Sequence, residues 1–185
     1  MVYNGKPTRE WLGKEDSASH TASLEAILLT AMVDAHEGRD VMSTDIPNAF
    51  IQAPLENKPG ERVIMKITGV LVDILLEKSP SKYMDYIVYE KGKKVIYIVC
   101  LKAIYGMLIA ALEWYKKFRG DLEKIGFIFN DYDPCVANKE LKGSLMTIWF
   151  HVDDCLSSHM SSKENDNFLK WLNKMYGEHG EVKAT

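Results

Sequence analysis

The stretch that decides the fold is Phe150-His151-Val152-Asp153-Asp154, where two adjacent carboxylates follow a run of strand-forming residues, Leu145 to Val152. A third carboxylate, Asp45, lies at the end of an earlier strand-like run, Asp40 to Ile46. Both runs are hydrophobic strands that would be natural neighbours in one sheet. Three carboxylates at neighbouring strand ends can hold two divalent metal ions. The sequence therefore predicts a two-metal site, provided that the three side chains meet in space.

Each acidic site also has a simpler interpretation. Asp favours turns and is well solvated there, so the pair Asp153-Asp154 alone is typical of a hairpin tip. Asp45 stands two residues before Pro47, which cannot donate to a sheet ladder, and so it also fits an ordinary strand end. The metal hypothesis depends on the pairing of the two strand ends.

Composition sets the broad class of the protein. The 185 residues are 46% hydrophobic and 26% charged, which is typical of one globular domain with a sizeable core. The three cysteines have no Cys-x-x-Cys spacing, so we expect reduced thiols, and the five histidines form no zinc-like pair. The longest apolar run, Ala103 to Leu112, is about half of a membrane span. The N-terminus has no apolar signal core.

The formal net charge of −3 argues against an isolated nucleic-acid grip, which normally has a basic surface. A catalytic core stays compatible with this charge, because acidic metal ligands lower the count. Lys116 and Lys117 lie off the apolar stripe of a predicted helix. A solvated helix face is the ordinary interpretation of such a cluster, and template contact is the alternative.

Hydrophobic periodicity and turn residues predict an α+β domain in which helices pack on one side of an antiparallel sheet. The first helix is expected to begin at a Ser19 or Thr21 cap and to bury an apolar stripe that includes Leu28 and Met32. The last helix is expected to begin with a capping box, Ser161-x-x-Glu164. The predicted helices are 21–36, 48–52, 70–76, 107–125 and 163–176, and the predicted strands are 40–46, 62–67, 86–90, 94–100, 135–139, 145–152 and 155–159.

Several ordered segments resemble the reverse transcriptases of copia-type retrotransposons. Asp45-Ile46-Pro47-Asn48-Ala49-Phe50 is similar to their Asp-Val-Lys-Thr-Ala-Phe, and His151-Val152-Asp153-Asp154 is similar to Tyr-Val-Asp-Asp. Order and spacing agree over roughly residues 20–185. The other matching segments are Ala103-Ile104-Tyr105-Gly106-Met107, Trp114-Tyr115, Ile125-Gly126-Phe127 and Tyr132-Asp133-Pro134-Cys135-Val136. Where many members carry Lys-Gln-x-Pro, this chain has Leu108-Ile109-Ala110-Ala111.

The resemblance implies a right-hand polymerase palm with part of the fingers. Residues 1–38 and about 53–102 would be fingers-like, and residues 39–52 and 103–185 would be palm-like, with no thumb or RNase H region in the chain. The other parts of a Pol polyprotein, integrase and RNase H, would be its partners. The location implied is the cytoplasmic virus-like particle of the element, or the nucleus.

The resemblance also implies the site residues. Asp45, Asp153 and Asp154, with the Ile46 main-chain carbonyl, would bind two Mg²⁺ ions, for which Mn²⁺ can substitute. Ala49, Phe50, Tyr105 and Gly106 would lie at the incoming dNTP, and the Phe50 ring would exclude a ribose 2′-hydroxyl. A core aromatic is the alternative for Phe50, and a simple loop before a helix is the alternative for Gly106. Nucleic-acid contacts are expected at His151, Lys116, Lys117 and Lys183.

The implied reaction is RNA- and DNA-templated DNA synthesis, in which a primer 3′-hydroxyl attacks the α-phosphate of a dNTP and releases pyrophosphate. Template, primer and dNTP would be the ligands, and no membrane is involved. We expect weak or no activity from the isolated chain, because it lacks a thumb to hold the duplex. Two rival hypotheses stay open. One is a non-catalytic nucleic-acid-binding remnant, and the other is an unrelated interaction domain with a solvated acidic turn.

Overall fold

The computed structural model, which describes residues 3–6, 10, 12–13, 17–56 and 62–185, is a mixed α+β fold in two units. One unit comprises Met1–Ala53 with Ala103–Thr185, and the other comprises Pro54–Lys102. The prediction of an α+β class with antiparallel sheets is confirmed. In the described part of the chain, no helix is long and apolar enough to cross a membrane.

The helices and strands follow the predicted order, with boundary shifts of a few residues and some short additions. In chain order they are α1 (Leu24–Glu37), β1 (Asp40–Asp45), α2 (Ala49–Gln52), β2 (Ile64–Thr68), α3 (Val70–Lys78), α4 (Pro80–Tyr83), β3 (Ile87–Glu90), β4 (Lys93–Val99), α5 (Ala110–Lys124), β5 (Ile128–Phe129), β6 (Val136–Leu141), β7 (Ser144–His151), β8 (Asp154–His159), α6 (Ser162–Tyr176) and β9 (Lys183–Ala184).

The first unit is built on a six-stranded sheet with the order β5-β6-β7-β8-β1-β9, in which every pair is antiparallel. Exposed and buried side chains alternate along β1 as its sequence predicts, because successive side chains in a strand point to opposite faces. Met42 and Thr44 are buried, and Val41, Ser43 and Asp45 are exposed. This alternation puts the exposed Asp45 on the face of the sheet opposite Met42 and Thr44.

Helices α5 and α6 cover the buried face of this sheet. The Phe118 ring of α5 meets Phe150 of β7 edge-on at 5.0 Å between centroids, and it lies 5.9 Å from Tyr176 of α6. Helix α1 lies on the opposite face, where the Ser158 hydroxyl donates to Asp34 at 2.6 Å. The expectation that the helices pack on one face is therefore right for α5 and α6 and wrong for α1.

Helix α1 also buries a different side from the one its apolar stripe predicts. Leu28 is 56% exposed and Met32 is 70% exposed, while Thr30 and Asp34 are buried. Polar contacts to the sheet fix this orientation, because Asp34 accepts from Ser158 and Arg39 donates to Thr147 at 3.0 Å. The cap residue is Ser23, four residues after Ser19 and two after Thr21, and its hydroxyl accepts from the Ala26 amide at 3.2 Å.

The capping box predicted for α6 does not form. Ser161 is the N-cap, but its side chain makes no cap hydrogen bond. Its backbone amide donates instead to Nδ1 of the buried His159, at 3.0 Å. The Glu164 carboxylate, which should reach back to Ser161, binds Lys142 at 2.5 Å.

The second unit is a three-stranded antiparallel sheet with the order β2-β4-β3, on which α3 packs. Ile67, Val72 and Ile96 form its small core. The hairpin predicted at Lys91-Gly92-Lys93 is present, and both Lys91 and Gly92 have positive φ, at 45° and 76°. A two-residue turn with this geometry matches the twist of the flanking strands.

Candidate active site

Asp45 and Asp154 lie directly opposite each other in the antiparallel pair of β1 and β8. The same register places His151 opposite Asp154 and Lys183 opposite Asp45. Directly opposed residues share one face of a sheet, so these four side chains form one row across β7, β8, β1 and β9. All four are exposed, whereas Phe150, Cys155 and Thr44 in the adjacent row are buried.

Asp153 lies in the two-residue turn that joins β7 to β8. The Ile46 amide, just past the end of β1, donates to the Asp153 carbonyl at 3.0 Å. This bond ties the end of β1 to the turn, and it brings the backbone of Asp153 beside that of Asp45. The backbones of the three acidic residues predicted from the sequence therefore lie at one end of the sheet.

The turn itself has an unusual backbone at Val152, whose φ is 58°. A positive φ at the first central residue, and not at the second, is the pattern of a type II′ hairpin turn, which favours glycine there. A β-branched residue in this region is an outlier, at a cost on the order of 1–3 kcal/mol. The Val152 carbonyl accepts a hydrogen bond from the buried Trp114 indole N–H at 2.6 Å.

Tyr105 connects the acidic residues to the predicted nucleotide residues. Burial raises the pKa of the Tyr105 phenol, and the negative charges of Asp153 and Asp45 raise that pKa further, together with a hydrogen bond to Asp153. One phenol is therefore within electrostatic reach of both carboxylates. On its other side, the Tyr105 ring contacts the Phe50 ring, with 4.4 Å between centroids.

The backbone around Tyr105 and Gly106 is closely packed. The Tyr3 amide donates to the Tyr105 carbonyl at 2.8 Å. A Cβ added at Gly5 would overlap the Gly106 carbonyl oxygen, so this approach needs a glycine at position 5. Gly106 itself has a φ of 95°, which L side chains rarely adopt. Tyr105 and Gly106 thus form a tight turn that is held against Tyr3 and Gly5.

The other predicted nucleotide residues differ in access. Ala49 and Ile46 are buried, backbone included, with 0% and 1% of the whole residue exposed. Phe50 is half-buried, and one side of its ring is taken by Tyr105.

The four residues expected at nucleic acid fall into two groups. His151 and Lys183 belong to the row of Asp45 and Asp154. Lys116 and Lys117 lie on α5 instead, where each is paired within the helix. Lys116 binds Glu113 at 2.8 Å, and Lys117 binds the buried Asp121 at 2.7 Å while its ammonium lies over the Tyr176 ring.

The donor chemistry of the acidic end suits a hard divalent cation. Asp45, Asp153 and Asp154 offer carboxylate oxygens, which Mg²⁺ and Mn²⁺ prefer, and all three are at least partly accessible. Among the described residues, however, no group of three or more His, Cys, Asp or Glu side chains is gathered closely enough to hold a metal ion. Close carboxylates repel one another without a cation between them. The carboxylate donors and the backbone positions of the three residues therefore suit such an ion.

Two features of this site have no clear signal in the sequence. The partnership of Lys183 with Asp45 depends on β9, whose two residues are too few for any periodicity. In the sequence, Trp114 belongs to the matching segment Trp114-Tyr115, and nothing in that segment indicates a hydrogen bond to the acidic turn. A buried indole N–H usually has a hydrogen-bond acceptor, so the burial of Trp114 is the one general sign that such an acceptor lies nearby.

Comparison with known proteins gives no further information. No family model, no curated protein and no solved structure matches this chain.

Proposed function

We propose that the chain is the polymerase core of a copia-type reverse transcriptase, which adds dNTPs to a primer 3′-hydroxyl on an RNA or DNA template. One observation carries the proposal. Asp45 and Asp154 are register partners on β1 and β8, and the turn between β7 and β8 presents Asp153 beside them. Asp45 and Asp154 are both exposed, so a ligand can reach them.

Asp45, Asp153 and Asp154 are the residues that would hold the metal ions, with the Ile46 carbonyl as a further oxygen ligand. When bound, two such ions would activate the primer hydroxyl and neutralise the charge that develops on the leaving pyrophosphate. The chain itself orients these ligands. The hydrogen bond from the Ile46 amide to the Asp153 carbonyl and the register of β1 with β8 fix their backbones.

Phe50 and Tyr105 would form the wall beside the sugar of the incoming nucleotide. The Phe50 ring contacts the Tyr105 ring, and the Tyr105 phenol lies within electrostatic reach of Asp153 and Asp45. A rigid ring at this position excludes a 2′-hydroxyl by its volume, which favours dNTPs over NTPs. Lys183 and His151 flank the two carboxylates and would contact phosphates of the nucleotide or primer.

The direct test is single-nucleotide addition to a primed template with Mn²⁺ present. A single addition is chosen because it needs no processive grip on the duplex. We expect slow addition by the wild-type chain and none by Asp153→Asn. Asp85→Asn, which changes an exposed carboxylate in the second unit, is the matched control and should keep the wild-type rate. Equal addition by wild type and Asp153→Asn would contradict the proposal.

A second candidate, a non-catalytic remnant that binds nucleic acid, is favoured by one observation. The carboxylates are not gathered into a ligand group in the described residues. This candidate predicts that the chain retains a primed template equally well with Asp153→Asn, and that no nucleotide is added by either protein.

A further inference from the structure

We infer that Trp114 is a positioning residue for the acidic turn, because its indole N–H holds the Val152 carbonyl and thereby sets the direction of the Asp153 side chain. The inference rests on the proposed function and adds a residue that lies outside the acidic set. It concerns a bond between α5 and the turn, which join parts of the chain 38 residues apart.

Peptide units are planar, and this planarity connects the indole to Asp153. The Val152 carbonyl and the Asp153 amide belong to one rigid plane, so a bond to that carbonyl fixes the orientation of the plane. Trp114 makes this bond at 2.6 Å. The next plane carries the Asp153 carbonyl, which accepts from the Ile46 amide at 3.0 Å. Both planes that flank Asp153 are held, and the direction of its Cα–Cβ bond follows from them.

The bond is needed because the turn is strained at Val152. A valine with a φ of 58° occupies a region that β-branched residues avoid. Such a conformation persists only when the surrounding contacts determine it. Without the indole bond, Val152 can return toward a negative φ; this moves its carbonyl and the peptide that follows, and the Asp153 carboxylate turns with them.

Trp114 is a rigid support for this purpose. The side chain is 1% exposed, and its ring stacks on Phe118 and meets Tyr176 edge-on, both at 5.3 Å between centroids. The indole has only one donor and no acceptor. The core between α5 and α6 therefore sets its position, and its single N–H donor binds the Val152 carbonyl of the turn.

The test measures Mn²⁺ affinity and needs no catalysis. Trp114→Phe keeps an aromatic ring in the core and removes the N–H, and we expect Mn²⁺ to bind about tenfold more weakly, the usual scale for one lost hydrogen bond. Val152→Gly, added to Trp114→Phe, should restore most of the affinity, because glycine adopts the positive φ without strain. Trp171→Phe is the control, since Trp171 contacts Tyr176 but not the turn, and it should leave the affinity unchanged.

The outcome of a purely structural role is different. If Trp114 only fills the core, Trp114→Phe lowers thermal stability, the Mn²⁺ affinity of the folded protein stays at the wild-type value, and Val152→Gly rescues nothing. That result overturns the inference and leaves the proposed function intact.

A second readout separates the two proposals. Nuclear magnetic resonance can follow the backbone amide of Asp153 without any metal ion. We expect Trp114→Phe to shift this resonance and Val152→Gly to shift it back toward the wild-type position. If the wild-type chain binds no Mn²⁺ but these shifts occur, the positioning role stands and the proposed function fails. If the amide does not respond to Trp114→Phe, the positioning role is refuted.

Discussion

At the scale of single residues, one phenol links two sides of the candidate site. Tyr105 contacts the Phe50 ring, and burial together with the negative charges of Asp153 and Asp45 raises the pKa of its phenol. The phenol therefore stays protonated and can donate to a carboxylate. Through it, the Phe50 ring is connected to the acidic turn.

The first prediction concerns sugar selection at Phe50. Phe50→Ala removes the ring beside Tyr105, and we expect it to raise the incorporation of an NTP relative to the matching dNTP by about tenfold or more, since a lost steric wall is worth at least that much discrimination. The measurement is single-nucleotide addition with each nucleotide in competition. Phe50→Tyr keeps the ring volume and should keep the wild-type preference. Unchanged selection in Phe50→Ala would assign Phe50 to the core alone.

The acidic residues were predictable from the sequence because each stands where a hydrophobic strand ends. The β1 alternation that exposes Asp45 follows from the period of a strand. The register that sets Asp45 against Asp154 does not follow from it, because a shift by a single residue would put Asp45 on the other face. That register is visible only once β1 is paired with β8.

At the scale of elements, helix ends show where local patterns succeed and fail. Ser23 caps α1 through its side chain, as serine commonly does. Ser161 stands at the equivalent position of α6, but the neighbouring His159 ring takes over the contact to its backbone amide. The two serines therefore occupy the same position and perform different roles.

The second prediction compares these two caps. Ser23→Ala should lower the free energy of unfolding by about 1 kcal/mol, because the Ala26 amide loses its acceptor. Ser161→Ala should change it by less than about 0.5 kcal/mol, because no side-chain cap bond is lost. Urea unfolding of both variants beside the wild type checks this. A larger loss from Ser161→Ala than from Ser23→Ala would contradict the structure of the α6 cap.

Elements with a clear period were predictable, and those without one were not. Strands β1, β7 and β8 and helix α6 lie within a few residues of their predicted bounds. Strands β5 and β9 have two residues each, so only their partners define them. The buried side of α1 was predicted incorrectly, because the contacts of Asp34 and Arg39 with the sheet outweigh its apolar stripe.

At the scale of the whole molecule, a buried carboxylate joins the two helices that support the sheet. Asp121 of α5 accepts from Tyr176 of α6 at 2.8 Å, and it is also bound by Lys117 and Lys124 at 2.7 and 2.8 Å. Burial by itself would raise the pKa of Asp121. The three hydrogen bonds outweigh it and hold the pKa below its ordinary value.

The third prediction follows from the sign of that shift. A lowered pKa in the folded state means that Asp121 stabilises the fold fully above its unfolded pKa, and that this contribution is lost as the pH falls through the folded value. Asp121→Asn should therefore cost about 1–2 kcal/mol at pH 7, and the difference from wild type should shrink below about pH 4. Urea unfolding at several pH values is the measurement.

The control for this prediction is Asp131→Asn, which changes an exposed carboxylate. Its stability should follow the wild type at every pH. A difference between wild type and Asp121→Asn that stays constant down to about pH 3 would show that the charge of Asp121 makes no net contribution to folding.

The most direct test of the central claim is anomalous X-ray diffraction from crystals of this chain soaked in Mn²⁺, because it locates the ion itself. We predict a manganese peak at the end of β1, contacted by carboxylate oxygens of Asp45 and Asp153. Crystals of Asp153→Asn should lose the peak. Saturating Mn²⁺ with no peak between β1 and the β7–β8 turn in the wild-type chain would contradict the account.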